Sequence, residues 1–125
     1  MKDAAVFDPT VIDGLRELGD GDDAFLADLF VTYLDQAEEI LGSLRKALAF
    51  EDRDAFSCAA HALAGASLSM GASSVAGICR GIEATLSFEA ARPNAAQLNA
   101  IEVELNRAAG AITNGQSEDR QSCLS

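Results

Sequence analysis

From Phe25 to Leu48 an apolar residue recurs every three or four positions: Phe25, Leu26, Leu29, Tyr33, Ala37, Ile40, Leu44 and Ala47, with no proline in the run. That period is helical. It is incompatible with a strand, whose apolar positions alternate every second residue. Phe30, Leu34, Leu41 and Leu48 widen the stripe. So broad a stripe faces more than one neighbour, and a chain that contains it must pack several helices around a shared core. The spacing predicts a helix from about Asp22 to Ala49.

The flanking sequence supplies the partners. Asp8 can cap a short helix with Pro9 at its first position, running to Leu18, and Gly19–Asp23 reads as a turn. Phe50-Glu51-Asp52-Arg53 breaks the long helix, and a third is expected from about Asp54 to Met70. Gly71 can close that helix, and Ser73 or Ser74 can cap the next. The fourth is expected over about Val75–Ala91, with Ile78, Cys79, Ile82 and Leu86 inward, up to the break at Arg92-Pro93-Asn94. The last covers about Ala95–Ile112, led by Leu98, Ile101, Leu105 and Ala108. The expected fold is all-α: an antiparallel four-helix bundle with the first short helix as an N-terminal cap. The length, 125 residues, suits one core. The bundle is placed over residues 1–112, and 113–125 is a polar tail expected to be flexible.

Nine basic residues face twenty acidic ones, a formal charge of −11. Such a balance opposes binding to nucleic acid and to anionic membrane surfaces. It suits solubility, or a partner with a positive rim. No window approaches the apolar length of a membrane span, so no membrane insertion is expected. Three widely spaced cysteines, Cys58, Cys79 and Cys123, make no disulfide framework, and the N-terminus lacks a secretory apolar run. The expected compartment is the cytoplasm, for a free protein or for the soluble end of a longer one. The stripes leave no spare apolar face, so a monomer is expected.

The chain has one histidine, in Phe56-Ser57-Cys58-Ala59-Ala60-His61-Ala62-Leu63-Ala64-Gly65-Ala66-Ser67-Leu68. On a helical wheel Phe56, Ala59, Ala60, Leu63, Ser67 and Met70 form the core face, and His61 falls about 140° away, on the solvent side. Asp54, Ser57, Gly65 and Leu68 share that side, with Ala64 on the flank. Gly65 costs about 1 kcal/mol in a helix interior relative to alanine, and it clears space one turn from the imidazole. The alanines keep the surroundings low, and Leu68 adds an apolar spot. This arrangement is an accessible nucleophile on a rigid platform. A neutral ring nitrogen can attack phosphorus without a general base, forming a nitrogen–phosphorus bond that is readily passed on.

The ordered set His61-Ala62-Leu63-Ala64-Gly65-Ala66-Ser67, Met70-Gly71-Ala72, Val75, Ile78-Cys79 and Ile82-Glu83 resembles the histidine-containing phosphotransfer (HPt) domains of bacterial two-component phosphorelays. Phe7-Asp8-Pro9 to Leu18 and Phe25 to Leu44 are similar to the family's lead-in, so the likeness spans roughly Phe7–Leu105. The resemblance implies a relay intermediate. His61, through its distal ring nitrogen, would accept a phosphoryl group from a receiver-domain aspartyl phosphate and pass it to another receiver aspartate. Implied partners are response-regulator receiver domains and a hybrid sensor histidine kinase, of which this chain could be the C-terminal module. The implied Mg2+ belongs to the receiver, so the chain has no cofactor or metal of its own and no autonomous kinase activity. In one respect the chain departs from the family. Ala64 stands where the family usually has a lysine, which would lie beside the phosphoryl group. An alternative reading follows from that departure: an inert module that binds a signalling partner without phosphotransfer.

Other residues carry weaker chemistry. Cys58 and His61 have a legal spacing for two metal ligands, but two ligands do not build a site. The serines around His61 would need an orienting acid and an oxyanion cleft to hydrolyse anything, and a convex helix offers neither. Asp54 and Ser57 could touch the ring or its water. Gly65, Ala64 and Leu68 would lie under a docked partner. Leu34 and Leu41 read either as core or as an extension of that patch.

Overall fold

Three of the turns in this chain close with the same backbone device, and that device sets the directions of the helices. At the end of the third helix the amide of Gly71 donates to the Leu68 carbonyl at 3.1 Å, and the amide of Ala72 to the Ser67 carbonyl at 2.7 Å. Gly71 sits at φ +75°, the left-handed conformation this Schellman closure requires. The same paired bonds end the first helix around Asp20 and the second around Glu51, non-glycine residues at φ 55° and 52°. Each closure satisfies terminal carbonyls and turns the chain back on itself within a few residues.

The computed structural model describes residues 7–88 and 90–124, with the side chains of 7–88 and 90–112. Five helices make up the described chain: α1 Pro9–Leu18, α2 Asp23–Ala49, α3 Arg53–Ser69, α4 Ser73–Leu86 and α5 Ala95–Leu124. Among the described residues there is no strand. Helices α2 to α5 form the antiparallel bundle, and α1 leans on α2 as the cap. The expected tail over 113–125 falls on side chains outside the described residues, and the backbone of α5 is helical through Leu124.

Aspartate caps start three of the helices. Asp8, Asp22 and Asp52 accept from the amides of Thr10, Ala24 and Ala55, which satisfies donors that a helix start leaves unpaired. The expected serine cap on α4 does not form: its cap position is Ala72, with no side-chain bond. Ser74 instead donates to the carboxylate of Glu104 on α5, which Arg107 also holds at 2.7 Å. Helix α4 ends at Leu86, five residues earlier than its pattern predicts. There the Ser87 hydroxyl turns back to donate to the Ala84 carbonyl at 2.7 Å, competing with the backbone ladder.

Helix α3 lies between α2 and α4 and contacts both extensively. Phe56, Leu63, Leu44, Tyr33, Val75, Cys79 and Ile101 are essentially fully buried. A polar pair inside, Tyr33 hydroxyl with Ser67 hydroxyl at 2.7 Å, ties α2 to α3 and leaves neither group unpaired. Leu41 is core, and Leu34 packs half-buried against the core cluster. Phe25 departs from its predicted inward place. It remains partly exposed, and its ring closes over Gly19 at the α1–α2 turn.

Gly71 also anchors the cap helix. Its carbonyl accepts the Asp8 amide at 2.6 Å. A Cβ on it would stand 3.0 Å from Val11 and 3.3 Å from the Asp8 carbonyl. Gly71→Ala is therefore expected to lower unfolding stability by about 1–2 kcal/mol, from left-handed strain and crowding of α1. The midpoint of urea unfolding measures this, and an unchanged midpoint would show that the turn relaxes freely.

Candidate functional site

The short link between α3 and α4 determines what stands beside the histidine. His61 and Glu83 each lie eleven residues from Ala72, one on either side of the reversal, so antiparallel packing brings them to the same level. They meet: His61 Nδ1 lies 2.9 Å from Glu83 Oε2. An ionised carboxylate only accepts, so Nδ1 carries the proton and donates it. In the neutral ring this leaves the lone pair on Nε2, the distal nitrogen. The His61 side chain is 79% exposed while Glu83 is 24% exposed. The carboxylate is thus held against the bundle and fixes the ring from below, with Nε2 directed away from it.

Around the ring the surface is low. Gly65 follows one turn on, and a Cβ placed on it would meet nothing within 4 Å. Nothing in the chain's own packing requires glycine there, and its helix-interior cost is about 1 kcal/mol. Its effect is a bare backbone open to approach. Leu68, two turns from His61, is 40% exposed and supplies an apolar contact next to that opening.

A family model described as Hpt domain matches residues 28–118. The chain belongs to the Hpt domain family. Among solved structures it is similar to histidine-containing phosphotransfer protein B (HptB) of Pseudomonas aeruginosa PAO1, at 27% identity and a TM-score of 0.75. That match covers 90% of this chain and 96% of the other. A search of curated protein sequences finds no match. The Hpt fold explains the five-helix arrangement, and family membership makes the chain a phosphotransfer module of two-component phosphorelays, whose members work with receiver domains and kinases.

The remaining predicted site residues of this Hpt domain divide. Ala64 does not present a docking surface: it is 3% exposed and belongs to the core cluster. The wheel placed it on the flank, but α3 is packed on two sides, which widens its buried arc. Asp54 does not reach the ring. It lies two turns away, 91% exposed, with the Arg53 guanidinium 3.7 Å from it. It lines a shallow depression with Phe50, Glu51, Asp52, Arg53 and Arg92, at the end of the bundle and apart from His61. Ser57 is half-buried one turn before His61 and makes no hydrogen bond among the described residues. Gly65 and Leu68 are where the pattern put them. The pattern of α3 by itself does not point to Glu83; its distance from the glycine-closed reversal, equal to that of His61, is the signal that could find it.

Cysteine and metal chemistry are also placed. Cys79 is buried, and burial together with the nearby Glu83 charge pushes its thiol up to about 12, so it stays protonated and inert. Cys58 is exposed, on the solvent side of α3. Among the described residues no group of three or more histidine, cysteine or acidic side chains converges as a metal site. No helix there is long and apolar enough to cross a membrane.

Proposed function

We propose that His61 is the phosphoacceptor, and that this Hpt domain takes a phosphoryl group from one receiver domain and gives it to another. The observation that carries the reading is the exposed ring whose Nδ1–H is held by Glu83 at 2.9 Å, leaving Nε2 as the available nucleophile. Nε2 attacks the phosphorus of an aspartyl phosphate on the receiver. The N–P bond forms as the P–O bond to the aspartate breaks, and the carboxylate leaves with the electron pair. The Nδ1 proton stays in its bond to Glu83, which offsets the positive charge that the ring acquires. The second transfer runs the same steps in reverse onto another aspartate. The Mg2+ that shields the phosphoryl oxygens is assigned to the receiver.

The test is to mix the domain with a phosphorylated receiver and follow the label. Loss of phosphate from the receiver and its appearance here as an acid-labile, base-stable adduct are expected. A receiver that binds but transfers nothing would overturn the carrier reading and assign the inert docking module in its place.

A further inference from the structure

A phosphoryl group on Nε2 brings close to two negative charges to a surface that already holds Glu83, on a chain of formal charge −11. The helix that carries His61 offers no cation nearby. Its one basic residue, Arg53, lies eight positions before His61, about 12 Å along the axis, and its guanidinium donates to the Phe88 carbonyl at 3.0 Å. Any cation that this chain itself supplies comes from another element.

The reversal that pairs His61 with Glu83 supplies one. Ala64 and Arg80 each stand eight residues from Ala72, so Arg80 is level with Ala64. It lies one turn before Glu83 on α4, about 4.5 Å along the axis from it. The spacing of three puts Arg80 and Glu83 on neighbouring positions of one helix face, and Glu83 shows that this face borders His61. Arg80 is exposed, and it makes no hydrogen bond or ion pair among the described residues. Arg45 and Arg107, by contrast, are engaged with Glu102 and Glu104. Across from Arg80, Ala64 is small and sunk into the core, so no side chain of α3 competes for the space above it.

Resting on the assignment of His61 as the carrier, we infer that Arg80 of α4 binds the phosphoryl oxygens of the modified histidine, supplying from the neighbouring helix the cation that α3 lacks at Ala64. Its guanidinium brings a positive charge and N–H donors that phosphoryl oxygens accept. The two polar partners divide the ring between them. Glu83 holds the Nδ1 proton, and Arg80 holds the group on Nε2.

The test uses phosphoramidate, a small donor that needs no protein partner. Nε2 forms the N–P bond as the donor's P–N bond breaks and ammonia leaves. The measurements are the fraction of the intact chain labelled and the hydrolysis rate of the adduct, for the wild type, Arg80→Ala and Arg80→Lys. Arg80→Ala is expected to lower the labelled fraction or speed the loss about three- to tenfold, and Arg80→Lys to recover most of it. The urea midpoint of all three should coincide, because the side chain is exposed. Label in Arg80→Ala equal to wild type overturns the inference and leaves the carrier reading intact, as does a loss that lysine does not repair. A wild-type chain that takes no label from phosphoramidate or from a receiver overturns the carrier reading itself.

Discussion

Replacing His61 by glutamine is expected to abolish the acid-labile phosphate entirely, with transfer falling below detection rather than merely slowing. Glutamine is close in length and polar. Its amide N–H2 can donate to Glu83 as Nδ1 does at 2.9 Å, so the local contact and helix α3 are retained. What it lacks is a lone pair on a basic nitrogen, since the amide nitrogen is not nucleophilic. There is no second imidazole in the chain to take over. Stability should change little, because the His61 side chain is 79% exposed and exposed pairs contribute about 0–1 kcal/mol. Phosphate transfer from a receiver, followed by acid and base treatment, gives the readout. Label surviving in the variant would place the acceptor elsewhere.

Phe56→Ala is expected to have the largest effect on stability, a loss of about 3–5 kcal/mol. Phe56 is 0% exposed, in the first turn of α3 where that helix meets the core. Truncation removes the apolar area it buries and leaves a cavity that helices pinned on both sides cannot collapse to fill. Domains of this size hold about 5–15 kcal/mol in all, so the loss is a large part of the total. The substitution leaves His61, Glu83 and Arg80 chemically untouched. Whatever fraction remains folded should therefore carry the same adduct, while the urea midpoint falls sharply. A midpoint shift of less than about 1 kcal/mol equivalent would mean that the core repacks around the site.

The features of the site that were legible in sequence are those that one helix determines alone. His61 opposite Phe56, Leu63 and Ser67, and Gly65 on the open side, follow from the period of α3 and need no neighbour. Misplaced features involve two helices. Ala64 looked like a flank residue because a wheel does not show that α3 is packed from both sides. Asp54 looked like a ring partner because it shares a wheel sector, although two turns of axial rise separate it from His61. Ser74 looked like a cap because it follows a reversal, but an acidic side chain from α5 claims its hydroxyl. Helix α4 looked longer because its apolar pattern continues past the point where Ser87 ends the ladder.

Local chemistry in the sequence was enough for the all-α class, the four-helix bundle, the reversal at Gly71 and a histidine facing solvent, because periodicity, capping and left-handed turns act over a few residues. Only the tertiary structure showed what holds the proximal nitrogen of His61 and which cation stands level with Ala64. Both answers depend on α4 lying antiparallel beside α3 in one register. That register is set by a three-residue link and by side chains from two helices interlocking in a common core, which no stretch of one helix contains.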